Sequence, residues 1–258
     1  METIVVEQQD RVGIIYLNRQ EFLNAFDDLM GYELRVQIEK FNADPHIGAI
    51  VISGKGRAFS AGADVSGFED TVNGVKKENK INSFSKWPIF IKKSKPVVCA
   101  LNGFAVGMGI TLPLSCDIRL MSKSSKISFR FAAIGLTPEY GSSHLLAQIV
   151  GYGKAMEYML SGRFIDSIEA LDSGLVNHVF EDDELIDESI KIANEIAQNP
   201  EWQLSQIKKM MRDHLFVDDF DRVITTENKI FRQSQDTEAH KEFLLAFREN
   251  RKPNFHND

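Results

Sequence analysis

Residues 135–146, GLTPEYGSSHLL, carry one carboxylate, Glu139, directly after a proline and just ahead of a Gly-Ser-Ser that can open a helix. Taken alone, it reads as an ordinary acid, since the positive end of a helix dipole favours carboxylates in the first turn. It becomes a general base only if it faces a carbon acid whose anion is stabilised nearby. Two glycine-rich segments offer that stabilisation: IVISGKGRAFSAGADVSGF (50–68) and VVCALNGFAVGMGITLPLSCD (97–117). Glycine takes positive φ without strain and lets backbone approach a ligand, so each loop can present N–H groups to an anionic oxygen. A single loop of this kind is most simply a tight strand-to-helix connection. Two in one chain, with a helix expected to begin near Gly107–Gly109 and aim its positive end at the same place, favour an oxyanion site. The glycine spacing fits neither the dinucleotide fingerprint nor a P-loop. With no Ser or Cys nucleophile paired to a His, such donors suit the enolate-like anion formed when a proton leaves the carbon beside a thioester.

The elements that must position these groups follow from periodicity. Residues 2–7 and 11–17 read as two strands joined by a polar turn. AFDDLMGYELRVQIEKFNAD has helical spacing at Leu29, Leu34, Ile38 and Phe41 and ends before Pro45. IGAIVIS, KPVVCALNG and CDIRLMS are apolar runs typical of strands covered on both faces, so strands and helices interleave in an α/β pattern. From about residue 183 four amphipathic helices follow one another without a strand, and Pro200 suits the first turn of the second. This helical tail suggests a subdomain or an oligomer contact.

Bulk composition narrows the function classes. The 258 residues are 43% hydrophobic, enough for a substantial core. Thirty Lys and Arg against 37 Asp and Glu, a net charge of -7, supply no general attraction for nucleic acid or anionic lipid. Cys99 and Cys116 lie in apolar surroundings without metal-ligand or disulfide-framework spacing, so no metal site is expected and a reducing compartment fits. No apolar run approaches a membrane span, and no basic leader precedes a signal-like segment, which reads as a cytoplasmic protein. His144 and Glu157 read as structural residues on helices, and Asp117 as a buried strand-start residue satisfied by backbone donors.

Around these loops the chain resembles the crotonase, or enoyl-CoA hydratase/isomerase, superfamily. The resemblance runs through LNRQEFLNAFD, GRAFSAGADV, KPVVCALNGFAVGMGITLPLSCDIRLMS, FRFAAIGLTPEYGSSHLL, SGRFIDSIEALDSGLVNHVF and FRENRKPNF. It implies an α/β fold in which a spiral of ββα units (1–199) precedes a C-terminal helical trimerisation region (200–258), assembled as a homotrimer or a dimer of trimers. It also implies an acyl-CoA substrate, with coenzyme A entering as part of the thioester and no permanently bound cofactor. Carried over by position, the oxyanion donors are the N–H groups of Ala63 and Met108. Ala61, Gly62, Asp64, Val65, Phe68 and Leu136 fall where relatives bind substrate. Phe84 and Trp87 read equally as acyl-tunnel or core residues, and Arg251 and Lys252 as CoA-phosphate ligands or a solvated tail.

Hydratases of this superfamily carry two glutamates, at the positions held here by Thr111 and Phe131. Hydration needs one group to activate water and another to move the proton, so their loss argues against it. Glu139 sits in a setting similar to that of several Δ3,Δ2-enoyl-CoA isomerases, which need one base. The resemblance therefore implies an isomerase, with Phe131, Ile134 and Leu136 expected to form an apolar wall that raises the Glu139 pKa. Other crotonase activities, hydratase-like or ring and epoxide isomerisation, and a non-catalytic acyl-CoA-binding role remain as alternatives.

Overall fold

The computed structural model describes residues 1–65, 84 and 86–256. Its strands divide their side chains between two apolar clusters. In β2 (Val12–Leu17), β3 (Ala49–Gly54) and β5 (Val97–Leu101), Ile15, Ile50 and Cys99 face one cluster while Ile14, Val51 and Val98 face the other. Covering both faces is what makes these runs continuously apolar in sequence.

β1 (Ile4–Gln9) pairs antiparallel with β2. From there β2, β3, β5, β7 (Ile118–Ser122) and β9 (His178–Phe180) run parallel, completing a six-stranded sheet. The short strands β4 (Ala58–Ser60), β6 (Phe104–Val106) and β8 (Lys126–Ser128) form a second, parallel sheet. Strands enter the two sheets alternately and in chain order, so each turn of the chain adds one strand to each, the expected spiral. The glycine loops occupy equivalent places in two successive turns, after β4 and after β6.

Helix α1 (Asp28–Ala43) is capped by Asp27, whose carboxylate accepts the Met30 N–H, and buries Met30, Leu34, Ile38 and Phe41. It stops at Asp44, ahead of Pro45. Next along the described chain come α2 (Trp87–Lys93), α3 (Met108–Thr111), α4 (Ser142–Val150), α5 (Tyr152–Ser161) and α6 (Ser167–Asp172). Helix α7 (Leu185–Ala197) closes the outer face of the large sheet with Leu185, Ile190, Ala193 and Ala197. Contact there is close, since a Cβ on Gly48 would lie 2.7 Å from the Ala197 carbonyl oxygen. Helices α8 (Glu201–His214), α9 (Phe220–Gln235) and α10 (Glu238–Arg248) bury only Val223 and Ala246. Pro200 is the N-cap of α8, one position before the expected first turn.

The first strand begins two residues later than its periodicity suggests, because a carboxylate captures its start. The Glu33 side chain accepts the Glu2 N–H at 2.8 Å, the Thr3 N–H at 2.9 Å and the Thr3 hydroxyl at 2.7 Å. Burial alone would raise the Glu33 pKa, but hydrogen bonds from Thr3 and Glu2 outweigh it and hold the carboxyl below its ordinary value. The stability this contributes is present above the unfolded pKa and is lost as pH falls through the folded one. Glu33→Gln should therefore cost about 2 kcal/mol at neutral pH. Urea denaturation over a pH series should show that deficit shrinking as the medium is acidified.

Candidate active site

The first loop is built by a clamp on its backbone. Leu23 and Asn24 take left-handed conformations (φ 50° and 55°), turning residues 19–26 back along the loop. The buried Asn24 amide then donates to the carbonyls of Lys55 at 2.9 Å and Ala58 at 2.7 Å, while its oxygen accepts the Arg19 N–H at 2.8 Å. Ala61 N–H donates to the Leu23 carbonyl, Phe26 N–H to that of Gly62 and Asp64 N–H to that of Phe26. In this parallel bridge Phe26 bonds to the residues on either side of Ala63. The Ala63 N–H consequently has no acceptor among the described residues. Gly62 at φ 107° makes the bend, which a side chain would block: its Cβ would lie 2.8 Å from the Val106 carbonyl oxygen.

The second loop meets the first edge-on. Gly107, at φ 52°, anchors its N–H on the Ser128 carbonyl at 2.9 Å and starts α3. As the first residue of that helix, Met108 has an N–H without an intrahelical partner, and none of the described residues accepts it. A Cβ on Gly62 would stand 3.6 Å from the Met108 nitrogen, and one on Gly109 only 2.4 Å from the Ser60 carbonyl oxygen. The Ala63 and Met108 N–H groups, both unpaired among the described residues, thus lie on adjoining loops.

Glu139 follows a 3₁₀ turn (Ala132–Ile134) and precedes α4, its carbonyl accepting the Ser142 N–H at 2.9 Å. The carboxylate makes no ion pair or hydrogen bond with described residues, and burial raises its pKa. Of the apolar wall expected around it, Phe131 is buried, but Ile134 and Leu136 are 59% and 44% exposed. The left-handed Gly135 (φ 73°) ends the turn there, and Leu136 is held by its N–H on the Phe131 carbonyl rather than by its side chain. Next to Glu139 in the chain, the Tyr140 ring packs edge-on against Phe84 at 6.3 Å, and Phe84 packs against Phe26 at 5.3 Å. A run of aromatic contacts therefore joins the base to the oxyanion loop.

The remaining sequence candidates separate clearly. The Asp64 carboxylate meets Arg19 at 3.0 Å, and Arg19 also donates to the Ala25 carbonyl at 2.6 Å. Ala61 and Val65 are exposed at the loop, and Phe68 lies outside the described residues. Phe84 and Trp87 are buried in the main core. Thr111 is fully buried and its hydroxyl has no partner, while Phe131 joins the core. Arg251 is taken by Glu242 at 2.6 Å and Glu249 at 2.6 Å, leaving it committed to carboxylates. Asp117 accepts the Val97 N–H at 2.7 Å as expected but is exposed where a buried residue was expected, and it pairs with Lys208 at 2.6 Å. Sequence reasoning missed Asn24, Arg19, Phe26 and Tyr140, whose roles rest on partners distant in the chain; the one local signal was the Tyr-Gly pair after Glu139. Among the described residues no cluster of three metal-ligating side chains occurs.

The sequence model of the enoyl-CoA hydratase/isomerase family matches residues 7–258. A Rhizobium meliloti protein named "probable enoyl-CoA hydratase" is 34% identical over 98% of each chain, and the crotonyl-CoA hydratase of Syntrophomonas wolfei is 30% identical over 98% of each. Among solved structures, an enoyl-CoA hydratase from Bacillus anthracis superposes with TM-score 0.90 at 26% identity, covering all of both chains. An enoyl-CoA hydratase/isomerase from Pseudoalteromonas atlantica gives 0.76 at 34%, covering 98% of this chain and 99% of that one.

An unpaired, desolvated carboxylate costs stability while it is charged. With its folded pKa raised above the unfolded value, Glu139 contributes favourably only when protonated. That contribution is complete below the unfolded pKa and is lost as pH rises through the folded pKa. Glu139→Gln should raise the thermal midpoint at pH 7.5, with the gain over the parent protein shrinking on acidification, as differential scanning calorimetry would record.

Proposed function

The chain belongs to the enoyl-CoA hydratase/isomerase (crotonase) family and is an acyl-CoA thioester enzyme, and from its candidate site we propose a Δ3,Δ2-enoyl-CoA isomerase. The observation that carries this reading is the set of titratable groups. Among the described residues Glu139 is a half-buried carboxylate with no competing cation, whereas Thr111 and Phe131 stand where the resemblance puts the two hydratase glutamates.

In the proposed step the thioester oxygen accepts the Ala63 and Met108 N–H groups. Glu139 removes a proton from C2, and the electrons delocalise through C2–C4 onto the thioester oxygen as a dienolate. The protonated Glu139 then returns the proton at C4 on the same face, leaving the double bond between C2 and C3. Each oxyanion donor is worth about 3 kcal/mol in such a transition state. Desolvation brings the pKa of the base nearer the working pH, which favours reversible proton transfer. Coenzyme A enters with the substrate, and the step needs no metal or resident cofactor.

Hydration is the second reading, favoured by the hydratase names of the relatives at 30–34% identity. It would require Glu139 to serve both the water and the proton. Supplying the purified protein with 3-hexenoyl-CoA and with crotonyl-CoA separates the two. Isomerisation predicts 2-hexenoyl-CoA from the first and little hydration of the second; fast hydration of crotonyl-CoA would favour the second reading. Glu139→Gln should lower the isomerisation kcat by about 10³-fold. The acid limb of kcat/KM should lie above the ordinary carboxylate range, since the base works only when ionised.

The helices after residue 200 are proposed to join copies of the chain in a trimer or a dimer of trimers. Support comes from the large apolar side chains they expose, including Phe220, Phe231 and Phe247 at 70%, 63% and 75%. Light scattering should then give a mass of roughly three or six times the 29.2 kDa chain.

A further inference from the structure

Tyr140 occupies a backbone conformation that side chains disfavour, with φ at 50°. Glycine would sit there without strain, so a tyrosine is held in place by what its ring does. That ring packs against Phe84 with centroids 6.3 Å apart and planes at 66°. Phe84 is itself tightly seated: it lies 5.3 Å from Phe26 and 5.7 Å from Trp87, and a Cβ on Gly31 would come within 2.4 Å of its ring. Phe26 in turn bonds through its backbone to Gly62 and Asp64, either side of Ala63. We propose that Tyr140 is a positioning residue, its ring seated on Phe84 so that Glu139 is held in register with the Ala63 oxyanion loop and shielded from water.

The charges around this contact are consistent with a ring that acts by packing. Burial first, then the negative charges of Glu139 and of Asp28 in the first turn of α1, push the Tyr140 hydroxyl up to about 12. The phenol stays neutral throughout the range in which Glu139 titrates. Among the described residues Asp28, Tyr140 and Glu139 are the titratable groups that meet here, and none of them is a cation that would pull the Glu139 pKa down.

The proposal rests on Glu139 as the base, so its test has one arm that does not depend on turnover. Tyr140→Gly keeps the left-handed backbone and deletes the ring; Tyr140→Phe keeps the ring and deletes the hydroxyl. In the full-length protein, kcat and KM for 3-hexenoyl-CoA, the acid limb of kcat/KM, and the Glu139 titration by carboxyl carbon NMR are measured. Tyr140→Gly should lower kcat by about tenfold or more with KM little changed, as a displaced base does. It should also move the Glu139 titration and the acid limb down toward the ordinary carboxylate value. Tyr140→Phe should match the parent protein, and adding Phe84→Leu to Tyr140→Gly should lower kcat no further. An unchanged Glu139 titration in Tyr140→Gly, or a Tyr140→Phe variant as impaired as the glycine one, overturns the proposal. If the parent protein isomerises no 3-enoyl thioester, the isomerase reading fails while the NMR arm still decides the role of the ring.

Discussion

A residue in a parallel bridge bonds to the two neighbours of its partner and leaves the partner's own amide facing the other way. Phe26 does this to Ala63, and the catalytic proposal depends on it. The constraint explains why so much hydrogen-bonding surrounds residues 19–26. Asn24 fixes the strand end at Lys55 and Ala58, Arg19 holds Asp64, and two left-handed residues bend the chain back so that Phe26 arrives in register. A donor left unpaired by backbone geometry is already oriented, with little to reorganise when an oxyanion forms. The spiral repeats the arrangement one turn later, where the start of a helix frees the Met108 N–H and Gly109 lets that turn press on Ser60.

The base is prepared by the opposite kind of deprivation. Among the described residues Glu139 meets neither a donor nor a cation, and burial raises its pKa. Several other carboxylates are satisfied: Glu33 by three backbone and hydroxyl donors, Glu169 by Arg163 and Lys154, which hold it at about 2, and Asp117 by Lys208 and a backbone N–H. The contrast singles out Glu139 as a group kept at the expense of stability, as groups serving chemistry commonly are. It also frames the tension with the relatives' names, because the chain has a hydratase-like fold while Thr111 and Phe131 supply no carboxylate.

Much of this was legible from residue order. The doubly covered strands, α1 with its stop before Pro45, the four late helices and the two glycine loops follow from short-range periodicity and from where glycine and proline stand, and the structure contains them. The apolar wall around Glu139 was misassigned. Ile134 and Leu136 are its near neighbours in sequence, but Gly135 turns the segment so that both are exposed, while the adjacent Tyr140 ring packs on Phe84.

Residue order alone carried the α/β pattern, the two glycine loops and the lone Glu139, because each depends on residue type and local spacing; the superfamily, the donors Ala63 and Met108 and the role of Glu139 came from the resemblance those residues carry. Contacts across the fold decided what surrounds them. Which way the Ala63 amide faces depends on Phe26, 37 positions away by residue number, and the ring that Tyr140 packs against comes from position 84. No local pattern encodes such pairings, since backbone bonding in a bridge and aromatic packing are fixed only when distant segments meet.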